Sequence, residues 1–139
     1  MVGQYAGGTV RLVNAHQFVA MMETVARGWS TGDARSAADC FTADAVYVEP
    51  PDRQRYVGRG EIYELSGGDD PSPMSMTWHH LAFDEERQVG FGEYTFHGRR
   101  RYHGMTVVLV RDERIHRWRE YQYQDERDWE EFVGDSGFG

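Results

Sequence analysis

The sequence contains no lysine, only one cysteine and no long run of apolar residues. The lone Cys40 cannot form an intramolecular disulfide or a site with several thiolate ligands, and nothing argues for an oxidising compartment. No segment approaches the ~20 apolar residues of a membrane-spanning helix, and the N-terminus lacks the apolar core of a signal peptide. We therefore expect a soluble cytoplasmic protein that does not associate with a membrane.

Positive charge is also scarce. The 15 cationic side chains stand against 23 acidic ones, which gives a net charge of −8 at pH 7. Phosphate neutralisation on nucleic acid normally requires a basic surface, so no nucleic-acid partner is expected. Consecutive arginines occupy positions 99–101, where a hairpin is expected to turn. A solvated loop is favoured there over a phosphate site.

The composition is that of a globular domain: 139 residues, of which 40% are hydrophobic and 14% aromatic. A chain of this length can bury roughly two thirds of its extended surface. We predict one domain over residues 1–139, with an ordered core at about 14–133, a loose N-terminal arm at 1–9 and a C-terminal tail. The high aromatic content favours a cavity or an interface.

The first ordered segment has the pattern of an amphipathic helix. Asn14 and Gln17 form a capping-box sequence at its start, and Gly32 is a suitable C-cap. Asp33 can cap a short second helix. The apolar positions that recur with helical spacing are Phe18, Met21, Met22, Val25, Ala26 and Trp29. The apolar face of the second helix comprises Ala37, Cys40 and Phe41.

Later segments carry mostly strand signals. Residues 45–49 form a β-rich segment that ends at two prolines, and residues 60–65 have the pattern of a third helix. Asp125 can cap a last helix that carries Trp129 and Phe132. Between the third and the last helix lie strand-like segments separated by short polar turns, at 76–83, 89–97, 102–110 and 114–124. This order predicts an α+β fold in which helices cover one face of an antiparallel meander.

Segments along the whole chain carry a family resemblance: GWSTGDARSAADCFTADAVYVEP, VGRGEIYEL, GEYTF and HGMTVVLVRDERIHRWREYQ. They resemble the nuclear transport factor 2-like superfamily, and in particular its SnoaL-like members, over about residues 14–133. The resemblance implies a cone in which a bent sheet and the first helices enclose a pocket. Ketosteroid isomerase, limonene epoxide hydrolase, polyketide cyclases, dehydratases and non-catalytic binders share this fold, so the fold alone does not give the function.

Two carboxylates fall on catalytic positions of different family members. Alignment of the last strand with the epoxide hydrolase pattern puts Glu120 at the position of a catalytic aspartate, with Trp118 and Gln122 beside it and facing inward. Alignment of the first strand with ketosteroid isomerase puts Glu49 at the position of its proton-shuttling aspartate, with Tyr47 on the same face. An apolar cavity would raise the pKa of such carboxylates, as a general acid or base near neutral pH requires.

The same register extends the predicted pocket. From the first helix, Met22 and Trp29 add to the ligand-binding wall, and His80 is a third catalytic candidate. The further strand positions that the register turns inward are Trp78, His80, Tyr94, Phe96, Tyr102 and Thr106. Apolar residues on the opposite face predict a homodimer through the outer face of the sheet: Met105, Val107, Leu109 and Tyr121.

The chain also departs from both relatives. The oxyanion-hole donors of ketosteroid isomerase fall near Val25 and Thr106, and the Arg-x-Asp pair of the epoxide hydrolase falls on Tyr94 and Phe96. His79 and His80 are adjacent on a predicted strand and therefore point to opposite faces, so no metal site or other cofactor is expected.

Two functions remain open from the sequence. The first is cofactor-free proton transfer on a small, mostly apolar compound that contains a carbonyl group or several rings. The second is non-catalytic ligand binding by the same cone. In the second case Glu49 would be a solvated carboxylate at the sheet rim, and Glu120 a structural carboxylate bonded to Tyr or Arg neighbours.

Overall fold

The computed structural model describes residues 2–5 and 8–138, which form an α+β fold. The helices are α1 Ala15–Thr31, α2 Ala34–Ala38, α3 Arg59–Leu65 and α4 Trp129–Val133, and a 3-10 turn follows at Gly134–Ser136. The strands are β1 Val2–Tyr5, β2 Gly8–Arg11, β3 Phe41–Glu49, β4 Gln54–Val57, β5 Ser75–Asp84, β6 Val89–His97, β7 Arg101–Arg111 and β8 Arg114–Gln124. Within the described ranges, no helix is both long and apolar enough to cross a bilayer.

Strands β3 to β8 form one curved sheet in the order β4-β3-β8-β7-β6-β5. The predicted antiparallel meander of β5 to β8 is confirmed. Strand β3, however, pairs in parallel with β8, with Tyr47 opposite Trp118, and antiparallel with β4. The sheet is therefore mixed rather than purely antiparallel. Register irregularities in β3, β5 and β8 favour its curvature, since bulges bend strands and increase their twist.

The predicted caps of α1 and α2 are confirmed. The side chain of Asn14 accepts a hydrogen bond from the amide of Gln17, and the side chain of Gln17 accepts one from the amide of Asn14, both at 2.8 Å. Gly32 ends α1 in the left-handed conformation with φ 73°. Asp33 caps α2 by accepting a hydrogen bond from the amide of Ser36. Local capping chemistry therefore sets these boundaries.

Some elements differ from the predictions. The arm expected to be loose contains the antiparallel pair β1 and β2. Helix α2 ends at Ala38, so Cys40 lies beyond it and Phe41 begins β3. Strand β4 follows the two prolines, although no strand was predicted there. The N-cap position of α4 is Asp128 rather than the predicted Asp125, and the side chain of Asp128 makes no capping hydrogen bond.

Helix α1 packs on one face of the sheet, which we call the inner face; the other is the outer face. Phe18 stacks on Phe83 of β5, with ring centroids 4.5 Å apart. Glycines in β6 make this close approach possible, because a Cβ at Gly90 would lie 2.1 Å from the Phe18 ring. A Cβ at Gly92 would likewise lie 2.4 Å from the ring of Trp78. The helix and the inner face thus enclose the core and the cavity beside it.

Candidate functional site

A cavity of about 440 Å³ opens between the inner face, the C-terminal end of α1 and the segment after α3. Its walls are mostly aromatic, and its polar groups are two carboxylates, two side-chain amides, tyrosine hydroxyls and one arginine at the mouth. The lining residues are Trp29, Tyr47, Glu49, Arg53, Gln54, Leu65, Met74, Tyr94, Phe96, Tyr102, Glu120 and Gln122.

Glu120 is the more deeply held carboxylate of this cavity, with 4% of its surface exposed. Its Oε1 accepts hydrogen bonds from the hydroxyl of Tyr47 at 2.5 Å and from the indole N–H of Trp118 at 2.9 Å. Its Oε2 accepts one from the amide of Gln54 at 3.0 Å. Burial raises the pKa of Glu120, and the negative charge of Glu49 adds to the rise, whereas the three donors oppose it.

Glu49 lies beside Glu120 and is 5% exposed. Its Oε1 accepts hydrogen bonds from Gln54 at 2.9 Å and from Gln122 at 3.3 Å. Its Oε2 faces the guanidinium of Arg53, with 3.9 Å between the nitrogen and the oxygen. The Gln54 amide nitrogen therefore donates to both carboxylates and joins them in one network. Strand β4 supplies this residue because its antiparallel pairing sets Gln54 opposite Glu49.

Aromatic rings fix the positions of these polar groups. Tyr47 stacks on Trp118 with centroids 5.2 Å apart and 10° between the planes, which aligns both donors with the same carboxylate oxygen. Trp29 packs edge-on against Phe96 at 6.3 Å. Burial raises the pKa of Tyr47 and of Tyr94 above the ordinary range, so both remain neutral donors. Tyr94 donates to the side-chain oxygen of Gln122 at 2.7 Å and thereby orients its amide.

Most of the predicted site residues lie together. Those that line the cavity are Glu49, Glu120, Trp29, Tyr47, Tyr94, Phe96, Tyr102 and Gln122. Four other predicted ligand-binding residues do not line the cavity but pack behind the residues that do: Met22, Trp78, Thr106 and Trp118. Trp78 donates its indole N–H to the carbonyl of Met22 at 2.8 Å, and Thr106 donates to the carbonyl of Arg119 at 3.2 Å. These four residues support the lining and do not form it.

His80 lies elsewhere, and the prediction that it faces the cavity is wrong. Trp78 keeps the regular pairing with β6, but the next paired residue is His80, which leaves His79 as the extra residue of a bulge. The bulge turns His80 to the outer face, where it stacks on Phe138 with centroids 4.5 Å apart.

His79 lies on the outer face too, so the expectation that the two histidines point to opposite faces is also wrong. Its Nε2 is 2.7 Å from the hydroxyl of Thr95, which lies 2.9 Å from Nδ1 of His103. Helix α4 covers this row, with Trp129 stacked on His79 at 4.0 Å. Among the residues that the structure describes, no group of three or more His, Cys, Asp or Glu side chains could hold a metal ion.

Four lining residues were missed by the sequence analysis: Arg53, Gln54, Leu65 and Met74. The segment after the two prolines is polar and short, so it was not predicted to be a strand. Its alternation of polar and apolar residues at 54–57 is the signal that could have revealed β4. Leu65 and Met74 flank a glycine-containing loop whose path no local pattern determines.

Comparisons with known proteins give the family. A sequence model of the SnoaL-like domain matches residues 22–118, more than half of the chain. No curated protein matches the sequence.

Solved structures give the fold. A protein with a cystatin-like fold from Methylobium petroleophilum PM1 superposes with a TM-score of 0.73 at 16% identity, covering 86% of this chain and 84% of its own. An LEH-like epoxide hydrolase from M. tuberculosis gives 0.67 at 17% identity, with 78% and 84% covered. The epoxide hydrolase/cyclase-like enzyme SalBIII gives 0.65 at 16% identity, with 78% and 92% covered. The family match over more than half of the chain establishes that this chain belongs to the SnoaL-like domain family, and the solved structures share its fold.

Proposed function

We propose that the protein is a cofactor-independent enzyme that transfers a proton on a small, mostly apolar compound containing a carbonyl group or several rings. The observation that carries this proposal is the pair of buried carboxylates, Glu49 and Glu120, joined by the amide of Gln54 within one cavity. Paired carboxylates in unlike environments can divide the roles of general acid and general base.

The environments of the two carboxylates are unlike in this way. Burial raises the pKa of Glu120, and no cation lies within salt-bridge distance of it among the described residues; both favour its protonated form and suit the proton donor. Glu49 has the guanidinium of Arg53 beside its outer oxygen, which suits the base. Tyr47 and Trp118 position Glu120, and Gln122 positions Glu49.

A second candidate function is non-catalytic binding of a small apolar ligand. It is favoured by the absence of the oxyanion-hole donors of ketosteroid isomerase at Val25 and Thr106, both of which are fully buried. In this case the carboxylates would orient the ligand without exchanging a proton with it.

We also propose that two copies associate through the outer face of the sheet. Large apolar side chains there remain exposed, including Met105 at 42%, Leu109 at 38% and Phe91 at 38%. Contiguous apolar surface of this kind is typical of an interface. Tyr121, 51% exposed, borders the same area.

The test of the enzymatic function uses two isosteric variants, Glu49→Gln and Glu120→Gln. Substrates are first found by screening turnover of cyclic ketones, epoxides and enones with the wild-type protein. Each variant should lose most of this turnover while retaining its circular dichroism spectrum and its affinity for the neutral substrate. Glu86→Gln is the matched control, since Glu86 is an exposed glutamate in the turn between β5 and β6. Unchanged turnover in both cavity variants would exclude the proposed mechanism and leave the binding function.

A further inference from the structure

The hydrogen-bond donors beside the two carboxylates are already engaged. Tyr47 donates to Glu120, and both N–H groups of Gln54 are directed to carboxylates, one to Glu120 and one to Glu49. Gln122 donates its amide to Glu49. These donors are therefore not available for hydrogen bonds to a ligand in the cavity.

Few donors remain on the other walls. Trp29 gives its indole N–H to Ser66 at 2.9 Å, and Tyr94 gives its hydroxyl proton to Gln122. The second N–H of Gln122 and the hydroxyl of Tyr102 are the donors of the inner walls that no hydrogen bond within the described residues engages. A ligand anion or a developing oxyanion thus has little to stabilise it near the carboxylates.

Acceptors, in contrast, are free. Oε2 of Glu49 accepts no hydrogen bond from the residues that the structure describes, because Arg53 stays at 3.9 Å. Only 5% of the surface of Glu49 is exposed, and that surface lines the cavity. Oε2 of Glu120 accepts a single hydrogen bond, from Gln54. No buried side-chain oxygen or nitrogen of the described residues lacks a partner, so Oε2 of Glu49 is open to the cavity and to water. A ligand that displaces water from this oxygen must supply a donor in its place, since an unpaired carboxylate oxygen is costly.

The remaining walls present aromatic rings, which attract cations through their faces. The rings are those of Trp29, Tyr47, Tyr94, Phe96 and Tyr102. Arg53 is the cation that lines the cavity, and 70% of its side chain is exposed to solvent at the mouth. Negative charge and aromatic rings therefore dominate the interior.

We infer that the compound this cavity takes carries a protonated amine on an otherwise apolar skeleton, with the ammonium N–H directed at Glu49 and Glu120. This inference rests on the proton-transfer function proposed above and names the substrate class of the same site. The ammonium supplies the donors that the free acceptors lack and offsets the charge of the carboxylate pair. The apolar skeleton then lies against the aromatic walls.

The test compares three probes that share one polycyclic skeleton and differ in charge: adamantan-1-amine, adamantan-1-ol and adamantane-1-carboxylate. Dissociation constants are measured by titration calorimetry at neutral pH, where an alkylammonium remains protonated. The ammonium should bind at least about tenfold more tightly than the alcohol, and the carboxylate more weakly than the alcohol. Equal or tighter binding of the alcohol or of the carboxylate overturns the inference, as does absence of binding by the ammonium.

Variants locate the effect at the site. Glu49→Gln should weaken ammonium binding by about tenfold and leave alcohol binding unchanged, while the control Glu86→Gln should change neither. Arg53→Gln should strengthen ammonium binding, which keeps the inference testable if Glu49→Gln folds poorly. An effect of the same size in Glu86→Gln overturns it, because long-range charge would then explain the preference.

These results separate the two proposals. If Glu120→Gln abolishes turnover of a neutral substrate while the amine binds no more tightly than the alcohol, the proton-transfer proposal is supported and the amine inference fails. If the amine is preferred but turnover is unchanged in both glutamate variants, the amine inference stands and the acid/base roles fail.

Discussion

Glu120 should make the folded protein less stable as the pH rises above about 4.5, the ordinary pKa of a glutamate. Burial raises its pKa in the folded state, so between the two pKa values the folded chain binds more protons than the unfolded chain. The stabilisation is complete below the unfolded pKa and is lost as the pH rises through the folded one. The substitution Glu120→Gln removes this dependence, because the amide does not titrate.

The magnitude follows from one proton. A single group changes the free energy of unfolding by at most about 1.4 kcal/mol per pH unit. The variant also carries a cost that does not depend on pH. Its amide can keep the oxygen towards Tyr47 and Trp118, but its nitrogen then faces the donor nitrogen of Gln54. Losing that hydrogen bond should cost about 1–3 kcal/mol.

The assay is urea unfolding followed by tryptophan fluorescence at several pH values between about 4 and 8, a range that begins below the ordinary glutamate pKa. His79 and His116 have lowered pKa values through burial, so both make stability rise with pH below 6.5. The quantity to compare is therefore the difference between wild type and Glu120→Gln, in which these terms cancel. That difference should shrink as the pH rises, whereas the control Glu86→Gln should show no such trend. A constant difference across the range would refute the raised pKa of Glu120.

Three further predictions concern packing, thiol chemistry and assembly. Gly92→Ala should lower the free energy of unfolding by about 1–3 kcal/mol, because the new methyl group would lie 2.4 Å from the ring of Trp78. The control Gly60→Ala, whose methyl group would have nothing within 4 Å, should be neutral or stabilising, and equal losses of the two variants in urea unfolding would contradict this prediction. Burial raises the pKa of the Cys40 thiol to about 11. Iodoacetamide should therefore alkylate Cys40 far more slowly in the native chain than in the urea-unfolded chain, and equal rates would refute the burial argument. Met105→Asp should convert a dimer into a monomer in sedimentation velocity, and a wild type that is already monomeric at micromolar concentration would exclude the outer-face interface.

Local chemistry explains why much of the fold could be predicted. Asn14, Gln17 and Gly32 determine where α1 starts and stops through contacts within a few residues of each other. In β8 the alternating burial of residues 117–121 agrees with the register that the family resemblance supplied. The boundary of α2 could not be found in this way, because Cys40 and Phe41 are apolar in a helix as well as in the strand that Phe41 begins.

The candidate site was harder to predict, because long-range register controls it. The inward direction of Glu120 followed from the register that the family resemblance supplied, and the pairing of β8 with β7 is regular at that point. The same reasoning gave the wrong direction for the side chain of His80, because one extra residue in β5 reverses the direction of every later side chain in that strand. Gln54 was missed because its role depends on β4 lying beside β3, and only the folded sheet reveals that pairing.

The parallel pairing of β3 with β8 explains why the two carboxylates meet. Each was located from a different relative, yet Glu49, the last residue of β3, and Glu120, within β8, lie on neighbouring strands whose register sets Tyr47 opposite Trp118, two residues before each carboxylate. Two carboxylates so placed repel each other, and the shared amide of Gln54 relieves only part of that repulsion. The remainder is relieved either by a proton held on Glu120 or by a positive charge on the ligand. The same geometry therefore underlies both the acid/base function and the preference for an amine, and binding of the amine should favour the ionised form of Glu120.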